Sequence, residues 1–215
     1  MKVKFLGHAC FLITLSTGTK IITDPYEVSR DLNYGVISES ADIVTVSHDH
    51  FDHNNVSVVK GNPHVIKGAG DMEIKGIPFH GISVYHDNEQ GSARGKNTIY
   101  CFEVDGIQLC HLGDIGHVLG EEVLEDIGRV DILFIPVGGY FTIDADTADY
   151  VSKQIKPRII IPMHFKNSKC DFPITGIDDF LEGKENINHV NFSEVDFKLG
   201  KLPDVTEIVV LEPAS

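Results

Sequence analysis

The sequence predicts an α/β sandwich, with two β-sheets facing each other and helices outside. Three observations predict it. Short apolar or alternating runs of strand length crowd the first half of the 215 residues. In the second half strands alternate with helical patterns. No linker of biased composition divides the chain, so residues 1–215 read as one domain.

Residues 2–6, 10–15 and 20–23 read as short strands, separated by Gly7-His8 and by the turn at 16–19. The run 43–47 is apolar and β-branched, the composition of a buried strand. A short helix is expected at 54–60, and strands at 64–66, 72–75, 77–84, 98–104 and 107–112. Asp105-Gly106 between the last two favours a two-residue hairpin turn, which pairs Val104 with Ile107 and sets Cys101 opposite Cys110, expected as two buried thiols. A helix at 120–127 ends before Gly128, and 132–136 is a fully apolar strand. Asp144 is the expected N-cap of a helix at 145–156, where Ala148, Val151, Ser152 and Ile155 recur at helical spacing and Pro157 stops the run. A strand at 158–162, a short helix near 177–182 and a strand at 207–211 complete the chain.

Hydrophobic residues make up 42%, enough for a substantial core. The formal net charge is -14 and no Lys/Arg cluster is visible, which argues against nucleic acid as a partner and leaves a small molecule as the expected substrate. The first residues alternate like a strand rather than a signal peptide, and no apolar stretch approaches the ~18 residues of a membrane span, so a cytoplasmic protein without membrane contact is expected.

The densest chemistry lies in His48-Asp49-His50-Phe51-Asp52-His53, directly after the apolar run 43–47. His48, His50, Asp52 and His53 are metal-ligand types packed into one turn. His48 and His50 are two apart, so on extended backbone they point the same way and can pinch one ion. Asp52 and His53, past the bend, can reach a second. A solvated histidine-rich loop is the alternative, but unpartnered His and Asp at this density would desolvate one another. A binuclear catalytic site needs roughly six or seven ligands. His164 and Asp114 both stand just past predicted strands, and a carboxylate there can bridge two ions with its two oxygens. His86 follows strand 77–84. His80 falls inside that strand, and it and His111 are the competitors of His86. Arg94 and Lys96, in a Gly-rich loop, can bind an anion or merely face solvent. Gly138, Gly139, Tyr140, Thr142 and Lys166 are pocket candidates.

The order HxHxDH, a later His, Gly-Asp, and a His after an apolar strand resembles the metallo-β-lactamase superfamily. Leu6-Gly7-His8-Ala9-Cys10-Phe11, Ile21-Ile22-Thr23-Asp24-Pro25, Pro136-Val137-Gly138-Gly139 and Ile161-Pro162-Met163-His164 look like segments of its small lactonase-like branch, which includes ascorbate-6-phosphate lactonase. The resemblance runs from residue 3 to about 165. It implies a four-layer αββα sandwich with the site at one edge between the sheets. It also implies His48, His50 and His86 on one metal, Asp52, His53 and His164 on the other, and Asp114 between them. Asp24 would orient a ligand His, His8 would face the pocket, and His111 would stand behind the ligands or merely pack. Self-association into a homo-oligomer is a further expectation.

Two divalent ions, zinc first and manganese or iron also suited to an N/O ligand set, would generate hydroxide between them near neutral pH. With Asp52 and Asp114 as the catalytic carboxylates, the expected activity is hydrolysis of a small, anionic ester, lactone or phosphoester. The alternatives are a phosphodiesterase or nuclease, and a non-catalytic metal-binding protein.

Overall fold

The computed structural model describes residues 1–214. Six strands form one sheet: β1 (Lys2–Gly7), β2 (Cys10–Thr14), β3 (Lys20–Thr23), β4 (Ile43–Val46), β5 (His64–Lys67) and β13 (Glu194–Asp196), in the order β13-β1-β2-β3-β4-β5. Eight form the other: β6 (Gly70–Ile74), β7 (Ile77–Tyr85), β8 (Lys96–Val104), β9 (Ile107–His111), β10 (Ile132–Pro136), β11 (Ile159–Met163), β12 (Ile187–His189) and β14 (Glu207–Val210), in the order β12-β14-β11-β10-β9-β8-β7-β6. The helices are α1 (Glu121–Ile127), α2 (Ala145–Ile155) and α3 (Asp178–Leu181).

The alternation of each strand assigns its faces. Val3, Phe5, Phe11, Ile13, Ile21 and Ile43 join one buried cluster with the apolar residues of the second sheet, so the main core lies between the sheets. Phe11 reaches across it, its ring 4.6 Å from that of Phe134. The opposite face of the first sheet carries Leu6, Leu12, Ile22, Val44 and Val46. That face is covered by the irregular segment 24–42 through Tyr26, Leu32, Tyr34 and Ile37, with Cys170 and Ile174 beside them. Helices cover the second sheet: α1 contacts β7, α2 contacts β10, and α3 packs on α2. The layers are those of an αββα sandwich in which one outer layer is mostly irregular chain.

The Asp105-Gly106 hairpin forms as expected. Both residues have positive φ, Val104 pairs with Ile107 and Cys101 with Cys110, and all four cysteines are free thiols. Asp144 caps α2, its Oδ1 accepting from the Thr147 N–H at 2.9 Å. One expectation needs correction, and two strands went unexpected. The helix at 54–60 is only a 3-10 turn at Val56–Val58, because three valines in seven residues disfavour a helix, and Val56 and Val58 pack against the outer face of the first sheet instead. β12 and β13, both short and largely exposed, lack the apolar alternation by which a strand is read.

Candidate metal centre

Strand direction explains where the site lies. β1, β3 and β4 run one way in the first sheet, and β7, β9 and β11 share one direction in the second. Their C-terminal ends meet at one edge of the sandwich. His8 follows β1, Asp24 follows β3, the 48–53 turn follows β4, His86 follows β7, Asp114 follows β9 and His164 follows β11. The two sheets are joined there by backbone: Thr98 N–H donates to Ser47 O at 2.9 Å, and His164 N–H to His8 O at 3.0 Å. A rigid sheet edge fixes the origins of all these side chains.

The backbone at that edge is bent into an uncommon region. His8, Asp24 and His164 have φ of +57°, +37° and +52°. Such residues cost on the order of 1–3 kcal/mol each and persist where surrounding structure holds them. Gly113 has φ +54°, and a Cβ there would stand 2.3 Å from Asn97 Oδ1 and 2.6 Å from Ser47 Cβ. Only glycine lets the chain pass between those side chains and deliver Asp114.

Three groups of ligand-type side chains result. His48, His50 and His86 form one, His8, Asp52, His53 and His164 a second, and Asp24 joins His48 and His53 in a third that hydrogen bonds already fill. Asp114 lies between the first two. Its Oδ2 is 3.2 Å from His53 Nε2, 3.2 Å from His164 Nε2, 3.4 Å from His86 Nε2 and 4.0 Å from His48 Nε2. His80 is elsewhere, paired with Asp71, and His111 spends both ring nitrogens on backbone: Nε2 donates to Ala9 O and Nδ1 accepts from Gly113 N–H. Of the three competitors, His86 alone joins His48 and His50.

The partners behind the groups hold them in aim. Asp24, fully buried, accepts from Ser47 N–H at 2.8 Å, from Ser47 Oγ at 2.5 Å and from His53 Nδ1 at 2.9 Å. His53 Nε2 is thereby turned toward Asp114. Ser47 Oγ also lies 2.9 Å from His48 Nδ1, so one carboxylate orients both imidazoles. Asn97 donates to Leu112 O and accepts from Asp114 N–H, and His8 Nε2 lies 3.2 Å from Asp52 Oδ2. Asp87, buried beside His86, accepts four backbone N–H bonds, from Glu89, Gly91, Ala93 and Arg94, at 2.7–3.0 Å. Ser47, Asn97 and Asp87 carry no sequence signal beyond their types; only the pairing of β7, β8 and β9 and the facing of the sheets bring them to the site. Lys166, a pocket candidate from sequence, instead bonds Phe172 O.

Burial pushes His8 down to about 4 and His48 to about 3, so both are neutral imidazoles near pH 7. Burial also lowers His86. For His53 burial acts the same way but is outweighed by Asp114 and Asp52, which raise it well above the ordinary histidine value. Burial raises Asp114, and His164 and His53 more than reverse it, leaving the carboxylate ionised.

Whether this set suits a metal is tested by its unmet atoms. His48 Nε2, His53 Nε2, His164 Nε2 and Asp114 Oδ1 are buried without a hydrogen-bond partner, the approaches to Asp114 being close but not aligned as hydrogen bonds. Such atoms cost on the order of 1–3 kcal/mol each unless something binds them. Ligand atoms held about 2.0–2.1 Å from a tetrahedral ion stand about 3.3 Å apart. The 3.2–3.4 Å separations around Asp114 Oδ2 have that spacing. The residues fit divalent metal.

A family model described as a beta-lactamase superfamily domain matches residues 2–164. The chain belongs to the metallo-β-lactamase superfamily. Among its relatives in that superfamily, a Thermotoga maritima protein described as a candidate zinc-dependent hydrolase is 35% identical, with a TM-score of 0.81 over 98% of each chain. A Carboxydothermus hydrogenoformans protein named a UPF0173 metal-dependent hydrolase is 30% identical over 192 residues, 77% of this chain and 84% of that one. Igni18 from Ignicoccus hospitalis, described as a metallo hydrolase, is 19% identical with a TM-score of 0.67 over 100% of this chain and 96% of that one, a likeness of fold. No helix among the described residues is long and apolar enough to cross a membrane.

Proposed function

We propose that this chain is a binuclear metal-dependent hydrolase acting on a small ester, lactone or phosphoester. The observation that carries the proposal is the convergence of imidazole nitrogens from two groups on one carboxylate, Asp114, with those of His48, His53 and His164 buried and unpartnered. In this reading His48, His50 and His86 would hold one ion and Asp52, His53 and His164 the other, with Asp114, which lies between the groups, a further ligand. Zinc, manganese and iron all suit the donor set. Bound ions of this kind activate water near neutral pH and polarise a carbonyl or phosphoryl oxygen.

The chain's own groups then have distinct tasks. Asp114, kept ionised by His164 and His53, would offset part of the cations' charge. Asp52, a carboxylate within the second group, would accept the proton given up as water adds to the substrate. His8, neutral and buried, donates from Nε2 to Asp52 Oδ2 and holds that carboxylate in place. Asp24 and Ser47 keep His53 and His48 turned inward. His50 is half-buried, the most exposed of the imidazoles in the two groups.

The relatives named metal-dependent hydrolases support this activity, and the segments resembling the lactonase-like branch favour a lactone or ester over a nucleic-acid backbone, as does the net charge of -14. A panel of aryl esters, lactones and bis-p-nitrophenyl phosphate, run with zinc and with manganese, tests it. Turnover of an ester or lactone that chelation abolishes and metal restores is expected. Metal bound with no turnover of any member would make the protein a metal-binding module, and cleavage of the diester alone would make it a phosphodiesterase.

A further inference from the structure

We infer that the loop after β7 carries an anion-binding subsite, formed by Arg94 and Lys96, that selects substrates with a terminal oxyanion group. The inference rests on the hydrolase reading of the adjacent centre. A cavity of about 710 Å³ is lined on one side by Ser47, His48 and His50 and on the other by Arg94 and Lys96. Its charged lining outside the histidines is Lys67, Arg94 and Lys96 against Asp49 alone. Asp49 is already paired with Lys67 at 2.9 Å, and neither Arg94 nor Lys96 has an ion-pair partner among the described residues. In a chain of net charge -14 two unpaired cations facing one cavity wall stand out. The other large cavity, about 640 Å³ on the outer face of β6 to β8, is lined by Asp71, Glu73, Glu103 and Asp126 and would repel the same ligand.

The cations are also held in place. The four N–H bonds onto buried Asp87 tie down residues 89–94 directly beside His86, so Arg94 stems from a fixed backbone. Its guanidinium lies 5.4 Å from the centre of the Phe141 ring, which steadies the plane while leaving its N–H edge free. Lys96 begins β8, anchored by pairing with Tyr85. The Phe141 ring that Arg94 covers continues into an aromatic patch: Phe172 packs 5.7 Å from Phe141 and 5.7 Å from His8, and half-exposed Phe51 stands 6.5 Å from Phe172. A substrate would therefore place its oxyanion at Arg94 and Lys96 and its reacting carbon on the His48 and His50 side of the same cavity. A carboxylate and a phosphate share the required chemistry.

The test compares metal-loaded wild type with Arg94→Ala, Arg94→Lys, the double variant Arg94→Ala/Lys96→Ala, and Lys201→Ala as a remote control. The substrates are p-nitrophenyl butyrate, its analogue with a terminal carboxylate, and its analogue with a terminal phosphonate. Wild type should favour the charged esters, and the double variant should lose about tenfold or more of that preference, through KM, with Arg94→Lys between the two. Whichever charged ester loses more identifies the anion. A preference unchanged in the double variant, or lost equally in Lys201→Ala, overturns the inference. If none of these esters is cleaved, calorimetric binding of inorganic phosphate decides the subsite apart from turnover, and the ester, lactone and diester panel decides the hydrolase reading. Weakening of about tenfold or more in the double variant supports it, and equal binding overturns it.

Discussion

Asp24 shows how a residue that touches no reacting atom can govern the site. It accepts from His53 and from both the amide and hydroxyl of Ser47, and Ser47 in turn meets His48, so its negative charge fixes the ring orientation of one imidazole in each group or beside it. Asp24→Asn keeps the shape but loses an acceptor and the charge that strengthens the His53 bond. Metal affinity should fall by about 10- to 100-fold while the fold survives, measured by competition with a chromogenic chelator. Unchanged affinity would mean that His53 is oriented by packing alone. The ligand types were legible in the sequence because each stands directly after a strand, and strand ends are where rigid backbone meets open space. Asp24 was legible as a turn residue before Pro25, and its orienting role came only through family resemblance. Ser47 was hidden: a serine at a strand end has no pattern, and its role depends on an aspartate 23 residues earlier.

At the scale of elements, the loop between β7 and β8 carries the most structure that the sequence concealed. Its glycines and polar residues read equally as a solvated turn. Instead, the Asp87 carboxylate gathers four amides in seven residues and turns the segment into a fixed wall beside His86. Burial opposes its ionisation, and the backbone donors, that of Arg94 foremost, outweigh it and hold the group at about 2. Asp87→Ala should raise amide hydrogen exchange at Glu89, Gly91, Ala93 and Arg94 by about tenfold or more, because those four amides lose their charged acceptor. Exchange unchanged at those amides would show that the loop is held by other contacts. The paired strands of the core were readable from apolar runs, and the β8–β9 hairpin from Asp105-Gly106 down to its register. The expected helix at 54–60 failed because its β-branched valines disfavour a helix, and only a 3-10 turn forms. β12 and β13 escaped notice because edge strands gain their pairing from neighbours far along the chain, Val195 from Val3 and Asn188 from Val209.

For the whole molecule, burying so many titratable groups at one edge sets the stability of the metal-free protein against pH. His8 and His48 titrate near 4 and 3 when folded and near 6.5 when unfolded, so the unfolded chain binds more protons as pH falls below 6.5. Each should cost about 2 kcal/mol of stability by pH 5. His53 does not compensate within that window. Its folded value is raised, so its contribution is already complete below 6.5 and is lost only as pH rises through the folded value. Asp24 and Asp114 are lowered, so their contributions disappear only below the ordinary carboxylate range. Urea melts of metal-free protein should therefore show stability falling between pH 6.5 and 5; a flat or rising profile would contradict the burial of neutral histidines. The two-sheet architecture was legible because strand-length runs and an undivided chain leave few other ways to bury 42% hydrophobic residues. That the outer layer over the first sheet is irregular chain rather than helix was not, since Tyr26, Leu32, Tyr34 and Ile37 have no regular period.

The central claim is that Asp114 joins two metal positions, and metal stoichiometry tests it most directly. Elemental analysis of protein supplied with zinc or manganese and freed of loose ions should give about two ions per chain, one for each histidine group. Asp114→Ala, in protein whose circular dichroism is unchanged, should bind fewer than two and lose turnover. Wild type holding one ion or none, or an Asp114→Ala variant that keeps both, would contradict the account.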